Sequence, residues 1–349
     1  MHSTGELSER KAAILRDLVH LYIRTGEAVG SEALAAYSKL GVSSATIRNE
    51  LSTLEEMGYL TQPHTSAGRL PTELGYRYFV NMLPARSRLR DPERLAIVHF
   101  FDEALADVDE ILKGTTQLLS RLTRYASLAL APTPKESSIV RAELIRLGSG
   151  TLLLVVLEDG RVEKRLIDLP DDAADETVDA VSRILLESFA GSSLTAAAET
   201  ARQRAKAAAG AEGATLTAVA GALDTIERAH HEEHVFLGGV ANIAAEEAFG
   251  QRETLRQMLE TLERESDVLR FLRQVATSPS VSVTIGRENP MTGMWEASVV
   301  AAPYEVGGQA VGTIGVVGPL RMDYAAAISS VRAVAERLSA AVAALAGPS

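Results

Sequence analysis

Apolar pairs at Ile14-Leu15, Leu18-Val19 and Tyr22-Ile23 recur every four residues and stop at Gly26, and helix-like stretches restart twice more before Gly58. That spacing places apolar side chains on one face of a helix, so residues 8–58 must fold as short amphipathic helices around a shared core. Ser8 is placed to cap the first helix. Ser31 opens a short second one through Leu34 and Tyr37, and Gly41-Val42 forms a tight turn. Ser43 or Ser44 caps a third helix whose inner stripe is Ile47, Leu51 and Leu54. Tyr59-Leu60 then starts an extended segment, the polar stretch from Gln62 to Arg69 loops, and Leu70 returns. Thr72 caps one more helix through Phe79, Met82 and Leu83, and a Pro-flanked basic linker follows from Pro84 to Pro92.

Helix, glycine turn, helix and hairpin is the order of a winged helix-turn-helix. With Ile47, Leu51 and Leu54 inward, Thr46, Arg48, Asn49 and Ser52 face outward. An Arg fork fits guanine and an Asn amide fits adenine in the major groove, so Thr46, Arg48 and Asn49 are the candidates for reading base edges. Ser43, Ser44, His64, Thr65, Ser66 and Arg69 are the candidates for phosphates or the minor groove. A three-helix module that binds protein has the same order, because a fold does not fix a function. Charge limits where nucleic acid can bind. The net charge is −11, yet residues 1–90 carry 11 Lys and Arg against 9 Asp and Glu, and the remainder carries 24 against 37. An acidic body repels DNA, which confines contact to the head.

Residues 93–130 give an amphipathic helical pattern through Leu95, Leu105, Ile111, Leu112, Leu118, Leu119 and Leu122. Ala142–Leu147, Thr151–Leu157 and Val162–Leu169 are strand-like, the last two joined at Asp159-Gly160 as a hairpin. From Asp171 to about Ala276 the pattern is helical and Ala-rich, broken by an extended Val235–Asn242. Strands resume at Val281–Ile285, Trp295–Ala302 and Ala310–Val317, before a last helix carrying Ile328, Val331, Val334, Leu338 and Val342. Strands split by a helical block indicate a sheet domain with a module inserted in it. Its Ala stripes would let helices approach closely, which makes the insert a candidate for part of a dimer interface. The chain has no cysteine, so disulfides, thiolate zinc sites and cysteine nucleophiles are excluded. The absence of a signal-like N-terminus and of a long apolar run points to a cytoplasmic protein without membrane spans. Gly312 to Gly318 lacks the Gly-Lys-Ser/Thr ending of a phosphate loop, and glycine within a strand marks a bulge or a close approach. The His230–His234 cluster fails the zincin pattern in both registers and reads as a solvated helix end, so no metal or cofactor is expected. Arg321, Asp323 and Tyr324 read as the cap and an ion pair of the last helix. No local motif marks a triad or a carboxylate pair, so no enzyme is expected.

The stretch Gly41-Val-Ser-Ser-Ala-Thr-Ile-Arg-Asn-Glu-Leu-Ser-Thr-Leu-Glu-Glu-Met-Gly-Tyr-Leu60 resembles the recognition segment of the heat-inducible transcription repressors called HrcA. So do Gln62-Pro-His-Thr-Ser-Ala-Gly-Arg69, Pro71-Thr72 and Gly75-Tyr76. The C-terminal third agrees in Ile285-Gly-Arg-Glu-Asn289, Ser298-Val-Val300, Pro303-Tyr304, Gly312–Pro319 and Arg321-Met-Asp-Tyr324. The resemblance implies an α+β chain: an N-terminal winged helix-turn-helix over residues 1–83, a linker over 84–92, a GAF-like α/β sheet domain over 93–174 and 251–349, and an inserted, mainly helical dimerisation module over 175–250. It further implies a homodimer that represses chaperone genes by binding an inverted-repeat operator in double-stranded DNA upstream of them. Heat stress would release it, and a GroEL-type chaperonin would maintain its activity. The alternative is a repressor with the same head whose GAF-like body senses a small-molecule effector.

Overall fold

The computed structural model describes residues 7–64, 68–84, 89–102, 107–132, 137–147, 150–158, 160–169, 173–231, 234–245, 252–276 and 280–345. The chain divides into two compact units: Met1–Ala104 with Leu112–Leu130 and Val235–Leu338, and Leu105–Ile111 with Ala131–His234 and Ser339–Ser349. The first unit begins with α1 (Glu9–Thr25), α2 (Ser31–Tyr37), α3 (Ser44–Glu56), β1 (Leu60–Thr61), β2 (Leu70–Pro71) and α4 (Glu73–Asn81). The boundaries have local causes. Gly26 ends α1 with a left-handed φ of 70°, which a residue without Cβ adopts freely. Ser43 Oγ accepts the Thr46 N–H at 3.1 Å and Thr72 Oγ1 accepts the Gly75 N–H at 3.2 Å, so both helix starts are capped. Ile14 and Leu18 of α1, Leu34 of α2, Ile47, Leu51 and Leu54 of α3 and Phe79 of α4 are all buried. The hairpin closes with Leu60 opposite Pro71 and Thr61 opposite Leu70. The winged helix-turn-helix expected from the periodicity is present.

The rest of the first unit is built on an antiparallel sheet ordered β7-β3-β10-β9-β8. Its strands are β3 (Ala126–Leu130), β7 (Val235–Gly238), β8 (Ser282–Ile285), β9 (Ala297–Val306) and β10 (Gln309–Pro319). One face carries Val299, Ala301 and Val317 against α11 (Arg252–Glu263) and α12 (Glu265–Ala276), in a core with Met258, Leu262, Phe271 and Leu272. Side chains pointing the other way meet α6 (Val108–Thr123) and α13 (Tyr324–Leu345). There Ser127 Oγ donates to Thr116 O at 2.5 Å, and the Ser298 and Tyr324 hydroxyls share a hydrogen bond at 2.7 Å. The glycines of β10 are close approaches: a Cβ on Gly312 would fall 2.4 Å from the Tyr304 hydroxyl, and one on Gly315 would fall 2.7 Å from Ala301 Cβ. Asp323 caps α13 by accepting the Ala326 N–H at 3.0 Å.

Two expectations are corrected. The helical stretch assigned to 93–130 is α5 (Asp91–Asp102), then α6, then the strand β3. All five β3 residues are buried, because the strand lies between β7 and β10 with both faces covered. A fully buried strand lacks alternation, so its sequence cannot be told from a buried helical turn. The insert also has different limits. Residues 139–167 were expected in the sheet domain, but β4 (Ile139–Leu147), β5 (Gly150–Leu157) and β6 (Val162–Ile167) form a separate three-stranded antiparallel sheet. They share a core with α7 (Asp175–Ser188), α8 (Leu194–Ala207) and α9 (Gly210–His231), through Leu153, Val155, Val181, Leu185, Leu223 and others. Val235–Gly238, expected inside the insert, instead pairs with β3 in the main sheet. The second unit is therefore a mixed sheet-and-helix module. Its Ala stripe is used internally: Ala197, Ala198 and Ala201 of α8 are buried in that core. Exposed apolar side chains lie instead on the outer face of the sheet, at Ile145, Leu147, Val162 and Leu166.

Candidate nucleic-acid interface

Because Ile47, Leu51 and Leu54 hold α3 to the head's core, its opposite face is presented to solvent. Ser44, Arg48 and Asn49 are exposed and Thr46 is half-buried. Among the described residues, neither the Arg48 guanidinium nor the Asn49 amide has a side-chain partner, so both keep their donors for a base edge. Ser43 and Thr46 are less free. The Ser43 hydroxyl caps α3 and lies 2.9 Å from Thr46 Oγ1, so a phosphate or base would have to share these groups with the cap.

Two carboxylates that lie on the same helix were not singled out by the sequence pattern. Glu50 is 12% exposed and holds Arg10 Nε at 3.1 Å and Lys11 Nζ at 3.0 Å, both from the start of α1. The pairing neutralises an acid beside the recognition face and ties α3 to α1. Glu55 pairs with Arg69 Nε at 2.8 Å. Arg69 was expected at phosphates or the minor groove, but its side chain is 17% exposed and lies against α3. Its backbone is fixed as well, exchanging hydrogen bonds with Val29 at 2.9 and 3.0 Å. Gly68 permits this approach, since a Cβ there would fall 2.4 Å from the Val29 carbonyl carbon. Nothing in the local sequence signals either acid's role, because each partner belongs to another element.

Arg48, Ser52, Gln62 and Arg69, with Gly30 and Ser31 at the start of α2, line a polar groove of about 550 Å³ between the recognition helix and the hairpin. His64 is exposed on the hairpin. Thr65 and Ser66 lie outside the described residues, as do the side chains of His230 and His231. The groove also holds Glu32, and Arg69 is committed to Glu55. Its donors toward a DNA groove are therefore Arg48, the Ser52 and Ser31 hydroxyls and the neighbouring Asn49, whose side chain, like that of Arg48, has no partner among the described residues.

Comparison with known proteins agrees with this reading. Residues 6–82 match the family model described as the winged helix-turn-helix transcription repressor, HrcA DNA-binding, and residues 109–328 match the HrcA protein C terminal domain. The heat-inducible transcription repressor HrcA of Thermobifida fusca is 42% identical over 330 residues, covering 94% of this chain and 95% of that protein. Its counterpart in Mycobacteroides abscessus is 40% identical over 329 residues, covering 94% and 96%. A solved structure described only as a hypothetical protein shares the fold, with a TM-score of 0.71, 24% identity and coverage of 97% of this chain and all of that one. No helix among the described residues is long and apolar enough to cross a membrane. With the DNA-binding model matched over the head and the C-terminal model over most of the body, the chain belongs to the HrcA family of heat-inducible transcription repressors.

Proposed function

We propose that this protein acts as a homodimer in the cytoplasm, binding an inverted-repeat operator upstream of chaperone genes and leaving it on heat stress, without catalysing any reaction. The observation that carries the DNA reading is the exposed pair Arg48 and Asn49 on α3, whose side chains have no partner among the described residues, beside a Glu50 already neutralised by Arg10 and Lys11. Thr46 completes the base-reading set, and Ser43, Ser44, His64, Thr65, Ser66 and Arg69 serve the backbone. A single head with few cations binds weakly, so tight binding needs two heads on two half-sites. A GroEL-type chaperonin maintains the active form.

The outer face of the β4-β5-β6 sheet supports a seat for the second copy. Across it the register aligns Ile145, Leu152 and Leu166 in one row and Glu143, Leu154 and Lys164 in the next. A two-fold axis running along β5 lays Ile145 over the partner's Leu166, and Glu143, which already accepts from Arg141 at 2.6 and 3.0 Å, over the partner's Lys164. Such an interface is apolar at its centre and complementary in charge. The test is binding of the full chain to DNA from upstream of its own chaperone genes, with the mass of the complex measured. Specific binding of two chains per inverted repeat is expected. Binding no stronger than to unrelated DNA would overturn the reading.

A further inference from the structure

The runs Ile285–Asn289 and Arg321–Tyr324 belong to the body and take no part in the surface that α3 presents. Both meet the winged helix. Arg77 of α4 donates from Nε to Glu288 Oε1 at 2.8 Å and from Nη2 to the Val283 carbonyl at 2.6 Å, and its fork also pairs with Glu288 Oε2. Glu288 is set for this role by its own turn, since its carboxylate accepts the Ile285 N–H at 2.9 Å. One helical turn earlier in α4, Glu73 accepts the Arg287 N–H at 3.1 Å. Gly286 makes room for that contact: its φ is +54°, and a Cβ there would fall 2.4 Å from Glu73 Cδ. A further point of contact is Arg321, whose guanidinium lies against Gly26 at the C-terminal end of α1, where a cation is favoured by the helix dipole. Between these, the buried Tyr76 and Tyr324 rings are 5.9 Å apart.

We infer that this junction is a positioning device in which Arg77 and Glu288 fix the angle at which the head leaves the body, and so fix the half-site spacing that the dimer accepts. The inference rests on the reading that a dimer binds an inverted repeat. Arg77 and Glu288 are 27% and 37% exposed, so the pair is weakly placed to stabilise the fold. Its geometry is another matter. A guanidinium fork gripping a carboxylate with two bonds, and a carbonyl with a third, sets orientation as a single point charge cannot. Contacts along α4, the Tyr76–Tyr324 pair among them, and at the end of α1 are separate points, and together they resist rotation of the head about either one.

Spacing discrimination is the readout that a merely structural role would not move. Full-length wild type, Glu288→Gln and Arg77→Lys are bound to a single half-site, to the native inverted repeat, and to a repeat lengthened by about five base pairs, half a helical turn. Wild type is expected to lose on the order of a hundredfold in affinity on the lengthened repeat, the scale of avidity lost when two heads cannot bind together. Glu288→Gln and Arg77→Lys should bind the half-site within about twofold of wild type yet lose less than about tenfold on the lengthened repeat. Should Glu288→Gln fail to fold, Arg77→Lys, which keeps the charge, decides alone. Wild-type discrimination in the single variants overturns the inference, as does a dimeric wild type indifferent to spacing. A monomeric mass with half-site binding only overturns the dimer reading itself, and the inference falls with it.

Discussion

Arg48 and Arg69 line the same groove, yet the structure holds them differently. Arg48 is exposed and unpartnered among the described residues, so Arg48→Ala should cost about 1–3 kcal/mol of operator binding and relax discrimination at one position. Arg69 is paired with Glu55 and fixed to Val29, so Arg69→Ala should weaken binding to every sequence alike and loosen the hairpin. A panel of single-base operator variants separates the two. Unchanged affinity and preference in Arg48→Ala would remove it from base reading. The exposed face of α3 was legible in the sequence because the apolar stripe fixes the helix's rotation. The roles of Glu50 and Glu55 were not, because Arg10, Lys11 and Arg69 reach them from other elements. Tyr76 makes a second case. Burial pushes its hydroxyl well above the ordinary value of 10.0, with Tyr22 and Tyr324 adding to the rise and Arg321 opposing it. The protonated form is therefore favoured in the fold. Its stabilising contribution is complete below the unfolded value of about 10 and is lost as pH rises above it. Tyr76→Phe, which has no proton to lose, should flatten the fall in melting temperature between about pH 10 and 12. An unchanged alkaline profile would place the titrating group elsewhere.

Among the elements, helices with capped ends were legible and sheet membership was not. Ser43, Thr72 and Gly26 act through bonds within a few residues, so a local pattern contains the whole cause. Whether a hairpin joins one sheet or another depends on partners far along the chain, and β4, β5 and β6 alternate in the same way in either place. Strand β3 failed for the opposite reason, since burial on both faces erased its alternation. The Ala-rich helices were recognised as closely packing, but the partner was misjudged: α8 packs within its own unit. Ala201 is fully buried there, so Ala201→Leu should overpack the core and cost about 1–3 kcal/mol, read as a lower melting temperature. Leu166 behaves differently. It is 72% exposed, so Leu166→Glu should change the stability of the isolated fold by less than about 0.5 kcal/mol, yet it would place a carboxylate in the proposed interface between copies. Solution mass over a dilution series should then show dissociation at concentrations where wild type stays paired. A variant that dimerises normally would move the interface away from this sheet.

At the scale of the whole molecule, release by heat requires the operator-binding state to be favoured by only a few kcal/mol, which is the ordinary margin of a folded domain. The composition fits a margin of that size. Aromatic residues make up 5% of the chain and there are 26 glycines, so each buried residue removes little apolar surface from water. Alanines hold many core positions in both units, among them Ala129, Ala142, Ala197, Ala201 and Ala301. The steepness of release follows from cooperativity. Unfolding absorbs roughly 60–80 kcal/mol per hundred residues, so loss of one cooperative unit empties an operator over a few degrees. A weak ligand would produce a graded response instead. On the proposed function, free chaperonin would act as the gauge: it would refold the inactive repressor when unoccupied, and unfolded clients would draw it away under stress. Purified protein should therefore lose operator binding on mild heating and recover it when chaperonin and ATP are added. A small effector acting on the sheet body makes the opposite forecast, release at constant temperature with chaperonin irrelevant. Operator occupancy followed through a heat step, with chaperonin present or absent and with metabolites added at fixed temperature, distinguishes the two. Full retention after the step with no chaperonin effect would exclude thermal release, because a marginal state that survives heating is not marginal.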